Sequence, residues 1–185
     1  NGNMVSLIQS NYMGFGSGVT VAPFGFGLQN RGSQFALQPS HANAYAPGKR
    51  PFHTIIPAFA MRDGEALLAF GVMGAAMQPQ GQVQVLTNML DFGLGLQGAG
   101  DAPRVRHEGS TEPTGAPPLA QGGTVYLEPG FTAKAIEGLR ARGHRVEPNT
   151  ERAAFGGYQA IKRDLRRGVY LGASESRKDG HAAGY

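Results

Sequence analysis

"MRDGEALLAFGVMGAAMQPQGQVQVL", residues 61–86, carries three structural signals in succession. The apolar run at 66–72 and the run "HTIIPAFAM" (53–61) are both β-rich, and Asp63-Gly64 lies between them. Asp-Gly is a strong hairpin signal because both residues accept positive φ, so an antiparallel pair is expected here. After the glycine-flanked "GVMGAAMQPQG" (71–81), the apolar positions Val83, Leu86, Met89 and Leu90 follow helical spacing, with Gly93 placed as a stop. A strand that ends in glycines and leads toward a helix N-terminus can present backbone N–H groups to an incoming negative charge.

Further strands are expected upstream at "MVSLIQS" (4–10) and "GVTVAPF" (18–24). Between them lies the glycine loop of "SLIQSNYMGFGSGV" (6–19), suited to a phosphate, a serine elbow or the floor of an amide-cleaving pocket. Downstream, "TAKAIEGLRARG" (132–143) predicts a helix capped by Thr132, striped by Ala135, Ile136 and Leu139, and ended by Gly143. Strands return at "HRVEP" (144–148), "GYQAIKR" (157–163) and "GVYLGAS" (168–174), and residues 107–123 read as a long surface loop. The order strands, helices, strands predicts an α+β fold, with helices on mostly antiparallel sheet rather than alternating βαβ units.

Composition narrows the function classes. At 185 residues a single domain over 1–185 is expected, and 29 glycines with 12 prolines point to many turns and close backbone contacts. With no cysteine, disulfides and thiolate chemistry are excluded. The five histidines, at 41, 53, 107, 144 and 181, show no ligand-pair spacing, so no metal and no cofactor is expected. No apolar run has the length of a membrane span, and no membrane partner is expected. Net charge is +4. Its densest basic stretch, "IKRDLRRGVYL" (161–171), has no interleaved aromatics for base stacking and reads as two strands joined by a solvated basic turn, so no nucleic-acid partner is expected. Gly93, Gly95 and Gly98 spell G-x-G-x-x-G but follow a helical stretch, which argues against a dinucleotide site. Ser17 lacks the outer glycines of G-x-S-x-G.

Five segments together resemble the small, C-terminal subunit of the γ-glutamyltransferase family: "GNMVSLIQSNYMGFGSGV" (2–19), "APGKRPFHTIIPAF" (46–59), "AFGVMGAAMQPQGQVQVL" (69–86), "LDFGLGLQGAGDAPR" (90–104) and "YLGASESRKDGHAAGY" (170–185). The resemblance implies an N-terminal-nucleophile hydrolase with a four-layer αββα sandwich. It also implies a precursor that cleaves itself and a large N-terminal subunit of the same precursor as partner. The nucleophile is then a new N-terminal Thr, whose hydroxyl attacks an amide carbonyl while its own α-amine acts as base. Its place is roughly ten residues, one strand length, upstream of Gly2. The chain is therefore expected to lack its first strand and catalytic Thr, and to be inert alone. Relatives of this kind are periplasmic or cytoplasmic, which leaves the compartment open.

The resemblance also assigns roles. Ser10 takes the place of a Thr that hydrogen-bonds the nucleophile, and Gly74 and Ala75 match a Gly-Gly pair whose N–H groups face the developing oxyanion. Alanine at 75 is neutral if its φ is negative and strained if it is positive. Positions that in glutathione-directed transpeptidases grip the glutamyl α-amine and α-carboxylate read Tyr12, Arg31, Gln34, His53 and Thr54. An acidic partner for an ammonium is gone and a cation has arrived. At an effective dielectric of ~20 and a separation of ~4 Å, a misplaced like charge costs on the order of 4 kcal/mol. The implied substrate is a small-molecule amide whose acyl group carries a carboxylate and no free α-amine, glutaryl- or oxamate-like, and hydrolysis is the expected outcome. Alternatives for Arg31 are a solvent-facing side chain or a salt bridge to the partner subunit. Arg50 and Arg104 read as structural, with Arg50 fixing a loop. The alternative function is a non-catalytic domain that binds an acyl ligand, should the full-length protein lack the Thr.

Overall fold

The computed structural model describes residues 2–185. They form two compact units. The larger comprises residues 2–7, Ile56–Glu108 and Thr124–Tyr185, and the smaller Ile8–Ile55 and Gly109–Gly123.

The larger unit is built around a four-stranded antiparallel sheet of β3 (Ala58–Arg62), β4 (Glu65–Met73), β8 (Gly157–Asp164) and β9 (Val169–Ser174), in that spatial order. The expected Asp63-Gly64 turn joins β3 to β4, both residues at positive φ, and the basic turn joins β8 to β9. On one face Leu68, Phe70, Val72, Tyr158, Ala160 and Ala173 form the core, because alternate residues of paired strands share a side. Helix α1 (Met77–Leu90) and the short α2 (Leu96–Asp101) cover it through Val85 and Ala99. Helix α1 starts six residues before the first apolar position expected of it, and its buried stripe is Met77, Gly81 and Val85, whereas Val83 and Leu90 face outward. Gly81 permits that packing: a Cβ there would lie 2.6 Å from Val72 Cγ1.

The second sheet has β5 (Val105–Glu108) antiparallel to β6 (Thr124–Leu127), and β6 parallel to β7 (Val146–Pro148). Helix α3 (Ala133–Ala141) connects β6 to β7, with the Thr132 hydroxyl accepting from the Ala135 N–H as expected of its cap. This is one βαβ unit in a fold otherwise read as free of them, and neither α2, β5 nor β6 was marked by strong periodicity. Two glutamines of α1 stitch β5 to the helix. Gln80 exchanges two hydrogen bonds with the backbone of His107 (2.7 and 3.1 Å), and Gln84 two with Val105 (2.7 and 2.8 Å). Spacing i, i+4 on the helix thus matches i, i+2 on the strand.

Two upstream expectations fail. Residues 4–10 pair in no ladder. They keep a strand's alternation, with Val5 and Leu7 exposed and Ser6 donating to the Phe70 carbonyl, but alternation specifies a face and supplies no partner. In the smaller unit, 18–24 yields only β1 (Thr20–Val21), paired with β2 (Phe26–Gly27). The antiparallel, helix-covered α+β class is otherwise as expected.

Candidate active site

The smaller unit gathers most of the candidate binding residues. Asn30 ties the 11–13 segment to a 3₁₀ turn, Arg31–Gln34, by accepting from the Met13 N–H on its side chain and donating its own N–H to the Asn11 carbonyl. The Ser10 hydroxyl accepts from the Tyr12 N–H (2.9 Å) and Tyr12 adopts a φ of 77°, so its ring turns toward the Arg31 guanidinium, 5.8 Å from the centroid. Arg31 Nε donates to Thr54 Oγ1 (2.5 Å) and Nη1 to the Ser10 carbonyl (3.0 Å). Ser10, Tyr12, Arg31 and Thr54 are therefore one cluster. Gln34 belongs to the same turn, and in 3₁₀ geometry positions i and i+3 stand on the same side. His53 is exposed and makes none of these bonds.

Arg31 is only 7% exposed, which rules out the solvent-facing alternative. Its Nη2 is buried without a hydrogen-bond partner, and so is Nε2 of Gln34. No acidic residue occurs in 8–55, and the unit's other segment contributes only Glu112. Among the described residues Arg31 forms no ion pair. A buried, uncompensated cation is costly, and two buried donors without acceptors add to that cost. Arg50, expected to fix a loop, is exposed; its neighbour Lys49 does so instead, donating to the carbonyls of Ala42 (2.7 Å) and Ala44 (3.0 Å).

In the larger unit, Gly74 and Ala75 form the turn between β4 and α1, at φ 133° and 51°. Ala75 is thus in the left-handed region, the strained alternative, at a cost of roughly 1–2 kcal/mol. The turn's carbonyls are used by the helix, Gly74 accepting from the Met77 N–H (2.9 Å) and Ala75 from the Gln78 N–H (3.1 Å). Among the described residues the N–H groups of Gly74 and Ala75 donate to nothing. Strain persisting beside unused donors is a pattern met at catalytic turns.

Arg104 lies in a buried quartet that only tertiary structure assembles: Arg104, Glu128, Glu175 and Arg177. Arg177 holds Glu128 through Nε (2.7 Å) and Nη2 (2.5 Å) and also Glu175, while both arginines donate to the Gly100 carbonyl. The Arg104 N–H donates to Glu128 Oε2 (2.7 Å) and its Nη1 to the Phe155 carbonyl (2.8 Å). Burial, with the like charge of Arg177, pulls the Arg104 pKa down to about 10. Burial acts the same way on Arg177, but the hydrogen bonds and charges of the two glutamates outweigh it and raise its pKa. The sequence signal for this was slight: Glu175 and Arg177 stand two apart just past the last strand, while Arg104 and Glu128 lie far upstream.

All 185 residues match the family model described as Gamma-glutamyltranspeptidase, and the chain belongs to that family. It is 36% identical, over its whole length, to the glutathione hydrolase-like YwrD proenzyme of Bacillus subtilis and 38% identical to the oxamate amidohydrolase proenzyme of Klebsiella pneumoniae, in each case covering 34% of the relative. The chain thus spans about a third of the curated relatives it matches. Among solved structures it resembles a cephalosporin acylase from Bacillus halodurans (TM-score 0.84, 45% identity, 96% of this chain and 31% of that one). It also resembles a gamma-glutamyltranspeptidase from Pseudomonas nitroreducens (TM-score 0.79, 31% identity, 100% of this chain and 94% of that one).

Proposed function

We propose that the protein containing this chain is an amidohydrolase that cleaves an amide whose acyl group ends in a carboxylate and carries no free α-amine, glutaryl- or oxamate-like. The observation that carries this reading is the buried Arg31 with no ion pair among the described residues and an unused Nη2, one 3₁₀ turn from Gln34 and its unused Nε2. A carboxylate supplies both the missing charge and the missing acceptors. An ammonium brought to the same place meets a cation and finds no acid in residues 8–55. Thr54 and the Ser10 carbonyl hold the guanidinium, and the Tyr12 ring covers it. The likeness to an oxamate amidohydrolase and to an acylase agrees with this preference.

In this reading the chain is the small subunit, paired with the large subunit of its precursor in a completed αββα sandwich, and a Thr ahead of Asn1 is the nucleophile. Its hydroxyl oxygen bonds to the amide carbon while its α-amine takes the proton. The carbonyl oxygen, now anionic, receives the N–H groups of Gly74 and Ala75. The C–N bond then breaks as the ammonium returns the proton to the leaving nitrogen, and water, activated by the same amine, releases the acid from the ester. Ser10 orients the nucleophile through its hydroxyl, which can donate its hydrogen while its oxygen accepts from Tyr12.

The test is a paired assay of the complete two-subunit protein on glutaryl- and γ-glutamyl-p-nitroanilide. Faster turnover of the glutaryl compound is expected, and Arg31→Met should lower its kcat/KM about 100-fold, the scale of one charge-assisted contact. Preference for the γ-glutamyl compound would overturn the assignment of Arg31. Glutarate binding without hydrolysis would favour a non-catalytic acyl-binding domain.

A further inference from the structure

On the reading that the Gly74–Ala75 turn supplies the oxyanion donors, we propose that Gly156 and Arg104 are positioning residues that hold this turn in its left-handed shape. Gly156 closes the 3₁₀ turn Arg152–Phe155 and precedes β8, whose first residue, Gly157, pairs with Met73 at the last rung of β4. Its contact with the turn is backbone against backbone. A Cβ on Gly74 would lie 2.8 Å from Gly156 Cα, and a Cβ on Gly156 (φ +81°) would lie 2.6 Å from the Met73 carbonyl oxygen and 2.9 Å from Val72 Cγ1. Neither position accepts a side chain without shifting Gly156 or the Met73–Gly74 peptide, which carries the Gly74 N–H.

Arg104 fixes the other side of that contact. Its Nη1 donates to the carbonyl of Phe155, the residue immediately before Gly156, and Phe155 is fully buried. The guanidinium is itself pinned by Glu175 (3.6 Å) and by the Gly100 carbonyl (2.9 Å). A continuous path therefore runs from the ion quartet through the Phe155 peptide to Gly156 and onto Gly74. Ala75 stays at a φ that alanine disfavours, which requires surroundings that hold it there. The quartet is thus assigned a task beyond stability, orienting two N–H groups whose displacement by a fraction of an ångström weakens transition-state binding.

The experiment measures kcat, KM and thermal melting of the complete protein carrying Gly156→Ala or Arg104→Lys, against Val85→Ala, a core truncation outside the path. Both path variants are expected to lose about 100-fold in kcat with KM nearly unchanged, while Val85→Ala melts lower and keeps its kcat. The inference is overturned if the folded path variants keep kcat, or if kcat loss tracks melting temperature across all three. Should Gly156→Ala not fold, Arg104→Lys carries the test, since it keeps the charge and loses the fork. A readout independent of substrate separates this inference from the functional reading. With ¹⁵N-glycine labelling, the Gly74 amide resonance should move in Arg104→Lys and stay in Val85→Ala; an unmoved Gly74 signal in Arg104→Lys refutes the positioning role even in an active enzyme. Inactivity of the unsubstituted protein on both anilides refutes the functional reading alone.

Discussion

Two clusters of this protein bury arginine, and they do so on opposite terms. Arg104 and Arg177 share the interior with Glu128 and Glu175, and carboxylates and carbonyls take up nearly all their donors. Arg31 is buried almost as deeply, with one hydroxyl and one carbonyl as its side chain's partners and no carboxylate among the described residues. Charge closed on itself stabilises a fold, and charge left open stores a binding demand, because the desolvation cost already met in folding is recovered when a ligand supplies the counter-ion.

The comparison can be broken most sharply from the closed side. Glu128→Gln leaves Arg177 short of a carboxylate in the interior, and denaturant unfolding of the complete protein should report a loss of about 3–5 kcal/mol. A loss under about 1 kcal/mol would mean the quartet is no more closed than Arg31. From the open side, Gln34→Asp brings a carboxylate to the turn of Arg31. It should raise the melting temperature while weakening glutaryl substrates by on the order of 3 kcal/mol, read as kcat/KM. Unchanged turnover would place the substrate carboxylate elsewhere. Ala75→Gly relieves the left-handed φ without touching either cluster, and should stabilise by about 1 kcal/mol in thermal unfolding.

The smallest effect lies at the rim of the quartet. Burial works against the charge of Asp101, but hydrogen bonds from Gln97 and Ser176 and the charge of Arg177 outweigh it and lower its pKa below 3.8. A carboxylate with a depressed folded pKa adds stability that is present above its unfolded value and lost as pH falls through the folded one. Asp101→Asn should therefore lower the melting temperature slightly at neutral pH and not at all well below pH 3.8, a difference that acid-side melting curves resolve. Equal curves at neutral pH would show the site to be fully screened.

Much of the frame was legible from local chemistry. Asp63-Gly64, Thr132 and the strands at 157–163 and 168–174 each carry their own signal within a few residues, and each forms as expected. The strand expected at 4–10 has the right alternation but no ladder, since pairing is a property of two segments. Gln80 and Gln84 read as polar positions of a helix, and their bonds to β5 follow only when 105–108 lies alongside. Among the candidate site residues, Gly74, Ala75 and the Arg31 substitution could be marked from motifs. Two things could not: the sign of φ at Ala75, and the burial of Arg31, a residue type that is ordinarily exposed.

By itself the sequence determined the hairpins, the capped helix, the glycine turn and the lack of acid in residues 8–55, all set by steric preference and charge that each residue carries wherever it goes. Tertiary structure alone decided which arginines are neutralised and which is left wanting an anion. Solvation and pairing depend on neighbours brought from far along the chain, as when Glu128 and Glu175 surround Arg177 while no carboxylate among the described residues pairs with Arg31.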